Sequence, residues 1–182
     1  MWYTATMSIQ LRTPLGKDVI SELKIGDQLL LSGTIYTARD AAHKKIAQLI
    51  KQGSPLPFNL KNQVVYYVGP TPAAGDRPIG SAGPTTSDRM DPFTPLLFQH
   101  GLAAVIGKGP RSEQVKQSFV QYCGLYLGAI GGAGALLSKS VKSAKIIAFP
   151  ELGTEAVREL EVVDFPVVVL NDSHGGDLYS SR

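Results

Sequence analysis

The stretch Gln28-Leu29-Leu30-Leu31-Ser32-Gly33-Thr34-Ile35-Tyr36-Thr37-Ala38-Arg39-Asp40-Ala41-Ala42-His43-Lys44 changes its hydrophobic period half-way along. Residues 28–36 are an apolar run with β-branched Thr34 and Ile35, the pattern of a strand buried on both faces. From Ala38 the period becomes helical, with Ala41, Ile46, Leu49 and Ile50 on one side and Lys44, Lys45 and Lys51 left to water. A helix over 38–52, stopped at Gly53, is predicted. A strand passing directly into a helix is the building unit of α/β proteins, so that is the predicted class.

The flanking chain reads the same way. Residues 8–12 alternate as a half-buried strand would, Pro14 and Gly16 end it, and 18–23 form a helical turn. Downstream of the Pro55-Leu56-Pro57 break, 63–68 is a compact apolar strand, 92–99 a short helix, 103–106 a strand and 112–121 another helix. Residues 125–137 read as a buried strand and turn, and are too short to span a bilayer. Strands near 145–149 and 166–170 enclose a short helix near 154–160. With 182 residues, no repeat and no linker, one domain over residues 1–182 is expected. The segment 69–84 carries Gly69, Pro70, Pro72, Gly75, Pro78, Gly80, Gly83 and Pro84 and cannot form a regular element. A long ordered loop of this kind is expected to serve function.

Composition removes several classes of function. The chain is 43% hydrophobic and 18% charged, which excludes a disordered tail or coiled coil. A net charge of +3 is too small for a continuous nucleic-acid footprint but compatible with a small anion. One cysteine, Cys123, and three histidines exclude a disulfide framework and a self-contained zinc or iron–sulfur site, so no metal ligand is assigned in this chain. The start, Met1-Trp2-Tyr3-Thr4-Ala5-Thr6-Met7-Ser8, lacks the basic residues and apolar run of an export signal, so the reducing cytoplasm is the expected compartment.

Some motifs dissolve on inspection. Five residues rather than four separate Gly101 from Gly107, and Gly109 stands where a phosphate-binding loop needs Ser or Thr after Lys108. The glycines at 128, 131, 132 and 134 miss the dinucleotide spacing, because Leu137 occupies the third glycine position counted from Gly132. They read as sites of close backbone packing. Asn171-Asp172-Ser173 fits a glycosylation sequon without an export signal to give it meaning. His43, His100 and His174 form no metal pair and read as surface or hydrogen-bonding residues.

Two segments remain: Thr37-Ala38-Arg39-Asp40-Ala41-Ala42-His43-Lys44, and Gly83-Pro84-Thr85-Thr86-Ser87-Asp88-Arg89-Met90 at the end of the long loop. Each is read as placing an arginine at the start of a helix, where the dipole and free N–H groups favour anions and the guanidinium fork grips a carboxylate. Two such places could hold a dicarboxylate. The plainer alternative pairs Arg39 with Asp40 or another acid and leaves Thr85 or Ser87 as helix caps.

With Pro150-Glu151-Leu152-Gly153-Thr154-Glu155-Ala156, Ile106-Gly107-Lys108-Gly109 and Gly131-Gly132-Ala133-Gly134-Ala135 in the same order, the chain from about Leu11 to Asp177 resembles the β subunit of class I fumarate hydratase. The β subunit of L-tartrate dehydratase is similar. The resemblance implies a swivelling β/β/α fold with a mixed sheet and flanking helices. It implies a hetero-oligomer, in which an α subunit ligates a [4Fe–4S] cluster and this chain completes a hydro-lyase site for fumarate and (S)-malate. By motif, Arg39 and Arg89 would bind substrate carboxylates, Lys108 would add a third cation, and Thr85 would move the C3 proton, with Thr86 the adjacent alternative. Cys123 matches no cluster-ligand motif and reads as a core thiol. A non-catalytic module that docks onto an iron–sulfur protein is the competing reading; neither nucleic acid nor membrane is an expected partner.

Overall fold

The structure, a computed structural model, describes residues 8–73, 75–129 and 134–180. Residues 1–7, 131–133 and the segment around them at 130, which carry the chain start and two of the four glycines singled out above, lie outside the described residues. The elements in order are β1 (Ile9–Arg12), α1 (Lys17–Glu22), β2 (Gln28–Thr37), α2 (Asp40–Lys51), β3 (Val64–Tyr66), α3 (Thr94–Gln99), β4 (Ala104–Gly107), α4 (Glu113–Tyr122), β5 (Leu125–Ala129), α5 (Gly134–Lys139), β6 (Val141–Ala148) and β7 (Val157–Asn171). Short 3-10 segments occupy Ser87–Met90 and Pro150–Glu155.

One mixed sheet runs β1-β2-β3-β4-β5-β7-β6, and a second ladder from β2 to β7 closes it into a barrel. β2, β3, β4 and β5 are parallel neighbours; β7 is antiparallel to β2, β5 and β6. Flanking helices complete the swivelling β/β/α fold.

Period-two alternation sends side chains to two cores. Val64, Tyr66, Ala104, Ile106, Leu125 and Leu127 point into the barrel with Leu29, Leu31, Ile35, Leu160, Phe165 and Val167. Val65, Tyr67, Val105 and Tyr126 point outward beneath Ala42 and Ile46 of α2, Leu97 and Phe98 of α3, and Val115 and Phe119 of α4. Strands covered on both faces carry the unbroken apolar runs seen in β3 to β5. Each large aliphatic side chain so enclosed contributes roughly 1.5–3 kcal/mol.

Several sequence expectations need correction. The strand over 8–12 is largely exposed rather than half-buried, because β1 pairs only with β2 at the sheet's rim; Leu11 alone packs against the barrel core. β2 is not buried on both faces throughout: Leu29, Leu31, Ile35 and Thr37 are buried while alternate residues are partly open. No helix covers 154–160. The 3-10 turn ends at Glu155, and Val157 begins a fifteen-residue strand whose pairing with β2 overrides the helical preference of Glu159-Leu160-Glu161. The strand and turn read over 125–137 includes a helix, α5, starting at Gly134. Cys123 is partly exposed at the core margin, in left-handed conformation at the C-cap of α4. Close packing does explain Gly128, whose Cβ would press on Leu170, and Gly134, which lies against residues 81–83.

Candidate functional site

β2, β3 and β4 direct their carboxyl ends to one rim of the barrel. Arg39 follows β2, the long loop with Thr85 and Thr86 follows β3, and Lys108 follows β4. The crevice beyond the carboxyl ends of parallel strands is the usual ligand position in α/β sheets.

At the end of β2, buried Thr37 fixes the chain by accepting the Arg158 N–H at 3.0 Å, and the Ala38 N–H donates to the Tyr66 carbonyl at 3.1 Å. Arg39 is then the N-cap of α2, in extended conformation and without any side-chain cap bond. The N-cap side chain therefore leaves the first amides of α2, at the positive end of its dipole, without a cap bond. Arg39 is 24% exposed, with Nε 3.5 Å from Glu155 Oε1. Arg89 is 54% exposed and pairs through Nη2 with Asp40, the first residue of α2. Two arginines distant in sequence thus meet at the head of one helix.

Arg89 does not stand at a helix start, as its motif suggested. It is the third residue of the Ser87–Met90 turn, and it reaches an N-terminus only by spanning to α2. Neither Thr85 nor Ser87 caps that turn through its side chain. Instead the Thr85 N–H donates to the Tyr67 carbonyl at 2.7 Å, and Thr86 bridges to Lys108 in parallel strand fashion. Thr85 is half-buried; Thr86 and Lys108 are exposed. The structure thus gathers Arg39 and Arg89 at α2 and places Thr85, Thr86 and Lys108 side by side on the same rim.

The supports of this rim escaped the sequence reading. Ser87 N–H donates to the Lys108 carbonyl at 3.0 Å, and the Lys108 N–H donates to Ser87 Oγ at 3.1 Å. The Tyr126 hydroxyl lies 3.0 Å from Ser87 Oγ and 2.8 Å from the Gly109 carbonyl, tying both segments to β5. Burial pushes the Tyr126 phenol well above its ordinary pKa, so it keeps its proton. Below the turn, Arg111 is only 6% exposed. Its Nε donates to Asp91 at 2.7 Å and its Nη2 to Thr94 at 2.7 Å, while its guanidinium faces Tyr126, Tyr67 and Phe119 at 4.9, 5.4 and 5.9 Å. Asp91 also accepts the Ser112 N–H at 2.8 Å. Nothing local in Pro110-Arg111-Ser112 distinguishes a buried arginine from an exposed one.

His43 is fully buried behind Arg39. The Arg39 carbonyl accepts both its backbone N–H and its ring Nδ1–H at 2.8 Å, and Nε2 has no hydrogen-bond partner. Desolvation lowers its pKa to about 4, with the Arg111 charge adding to the fall, so the ring is neutral. The other histidines are exposed and hydrogen-bond to the Leu96 and Ser21 carbonyls. Asn171 of the sequon is 2% exposed, and its amide donates to the Gly176 carbonyl. Among the described residues no group of three or more His, Cys, Asp or Glu side chains is gathered as a metal site. Cys123 precedes β5, at the barrel end opposite the rim, and its thiol donates to the Lys17 carbonyl at 3.7 Å. This donor set does not fit an iron–sulfur cluster. No described helix is long and apolar enough to cross a membrane.

The family model described as Fumarase C-terminus matches residues 3–182. The chain belongs to the fumarase C-terminus family. Among its relatives in the family are fumarate hydratase 2 of Leishmania major, 41% identical over 97% of this chain, and the anaerobic class I fumarate hydratase of Escherichia coli, 40% identical over 95%. The chain spans 32% of the length of each, about a third of the fumarate hydratases it matches. A Methanocaldococcus jannaschii chain, named provisionally as subunit beta of L(+)-tartrate dehydratase, is 42% identical over 91% of this chain and 88% of its own length. The fumarase C-terminus fold therefore occurs among these relatives both as part of a longer polypeptide and as a chain of this size.

Proposed function

We propose that this chain is the β subunit of a class I fumarate hydratase, a hydro-lyase that interconverts fumarate and (S)-malate. The observation that carries the reading is the meeting of Arg39 and Arg89 at the uncapped head of α2, beside the Thr85-Thr86 and Lys108 rim. We place the chain as one domain of the catalytic unit, acting in the cytoplasm, with a cluster-bearing α subunit supplying the [4Fe–4S] group that this chain's donors do not fit.

In this reading Arg39 and Arg89 hold the two carboxylates of the substrate. Each presents a planar fork suited to bidentate contact, and Arg89 exchanges part of its pairing with Asp40 for substrate. Removing the C3 proton of malate leaves negative charge beside a carboxylate, which the Arg89 guanidinium and the Lys108 ammonium stabilise until the C2 hydroxyl leaves as hydroxide and the double bond of fumarate forms. Thr85 moves that proton, with Thr86 next to it as the alternative. A threonine hydroxyl is a poor base at neutral pH, so its function depends on the cations that stabilise its alkoxide.

The test is anaerobic co-purification with the tagged chain from its host, iron analysis and a fumarate-to-malate assay, followed by Arg89→Met in the same complex. Arg89 is largely exposed, so the substitution should cost at most about 0.5 kcal/mol of stability. Turnover should fall on the order of a hundredfold or more. Unchanged kinetics in an assembled complex would remove Arg89 from the site. The tartrate dehydratase relative, a chain of similar length, favours one second reading, and turnover of L-tartrate in preference to fumarate would select it. A cluster-bearing partner with neither activity would leave a docking module.

A further inference from the structure

The Pro150-Glu151-Leu152-Gly153-Thr154-Glu155-Ala156 segment has no part in the reaction described above, yet it forms a wall beside Arg39. It leaves β6 through Phe149 in left-handed conformation and turns again at Gly153, with φ +60° and ψ −117°. Arg158 secures the turn by donating to the Gly153, Thr154 and Ala156 carbonyls at 3.0, 3.0 and 3.2 Å. The Thr37 contact to Arg158 N–H then fastens the segment to the end of β2, two residues before Arg39. A second anchor is the ion pair between Glu151 and Lys45 of α2.

Arg39 passes between this wall and the start of the long loop. A Cβ at Gly69 would lie 3.1 Å from Arg39 Cδ, from Arg39 Nη1 and from the Thr154 carbonyl, so a side chain there would press the guanidinium or the turn aside by a few tenths of an ångström. Arg39 Nε and Glu155 Oε1 are both shut off from water, and neither completes a hydrogen bond. They face each other at 3.5 Å, and among the described residues neither makes another ion pair. A dry donor and a dry acceptor without other partners are costly to separate. Attachment at Nε leaves the two Nη nitrogens, which have no ion-pair or hydrogen-bond partner among the described residues, for an end-on carboxylate.

We propose that Glu155 is a positioning residue for the dicarboxylate site: it holds Arg39 by the Nε edge, so that the Nη fork is presented to one substrate carboxylate. The inference rests on the dicarboxylate reading of the site. Its signature is a split between KM and kcat, because a loosened Arg39 weakens the hold on substrate and product without altering the proton-transfer group.

The experiment compares the parent, Glu155→Ala, Glu155→Asp and Glu155→Gln in the assembled complex, measuring steady-state kinetics with fumarate and malate and calorimetric binding of fumarate. Glu155→Ala should raise KM about tenfold, the order expected for losing one charged contact, with kcat within about threefold of the parent. Glu155→Gln keeps the length but removes the charge that faces Nε at 3.5 Å, so it should raise KM in the same direction as Glu155→Ala. Glu155→Asp, which withdraws the carboxylate by one methylene, should raise KM in the same direction and guards against a folding defect in the alanine variant. A parent KM in both Glu155→Ala and Glu155→Asp, a loss confined to kcat, or a glutamine variant with the parent's KM would overturn the proposal. A parent complex that neither binds nor turns over a dicarboxylate would overturn the site reading itself.

Discussion

His43 is the residue at which the chemistry of the site and the stability of the fold are linked. Its ring fills the space between α2 and the sheet, edge-on to Tyr67 at 5.2 Å and near Phe93 at 6.1 Å, and its Nδ1–H fixes the carbonyl of Arg39. Protonation would place a second positive charge in the region of Arg111, with burial opposing it and only Asp40 and the Arg39 carbonyl favouring it. The folded pKa is about 4, against about 6.5 for an unperturbed imidazole. Between these values the unfolded chain binds more protons, so stability is intact above pH 6.5 and is lost as pH falls toward 4. The whole loss amounts to about 3 kcal/mol, of which about 2 kcal/mol falls between pH 6.5 and 5. Urea unfolding of the parent and of His43→Gln at pH 7, 6 and 5 isolates this part. The parent should lose about 2 kcal/mol more than the variant over that range; parallel curves would show that His43 titrates alike in both states.

At the scale of elements, the Ser87–Met90 turn is too short to hold a side chain in place by its own hydrogen bonds, and its position is set by Arg111 and Tyr126 beneath it. Arg111→Met would leave Asp91 facing a partly buried site with only the Ser112 N–H, at a cost of roughly 3–5 kcal/mol. Adding Asp91→Leu removes the stranded charge, so the double variant should recover a substantial part of that loss in denaturant unfolding. Strictly additive losses would mean that the pair does not act as a unit. The same elements show what could be read from sequence. The β2-to-α2 junction was legible because both periods are local, and β3, β4, α3 and α4 followed for the same reason. The first half of β7 was not, since its strand character comes from pairing with β2 across the molecule. α5 was hidden because its glycine-rich start carries no helical period. The arginines were marked by their motifs, but their partners Glu155 and Asp40, and the buried support from Arg111, depend on tertiary contacts that no spacing encodes.

At the scale of the whole molecule, the rim depends on barrel closure, because the ladder between β2 and β7 brings the Arg39 and Glu155 segments together. That ladder is interrupted once, between Leu31 and Gly33, where β7 inserts an extra residue around Asp164. There Gly33 has φ +112°. The chain leaving β1 crosses directly above it: Thr13 N–H donates to the Ser32 carbonyl at 2.9 Å and the Thr13 hydroxyl to the Thr34 carbonyl at 2.6 Å. A Cβ at Gly33 would come within 2.6 Å of Thr13 Oγ1 and 3.1 Å of the Thr13 carbonyl, in a conformation that L side chains rarely adopt. Gly33→Ala should therefore cost about 2–4 kcal/mol, combining backbone strain with displacement of Thr13. Thr13→Ala removes the hydroxyl but neither the backbone contact nor the strain, so the double variant should remain less stable than Thr13→Ala alone. Because the bend joins the two halves of β2, the loss should reach the rim: dicarboxylate affinity in the assembled complex should fall along with the unfolding midpoint. An alanine variant with the parent's midpoint would mean that β2 closes the barrel without this bend, and a lowered midpoint with parental affinity would separate barrel closure from the geometry of the arginines.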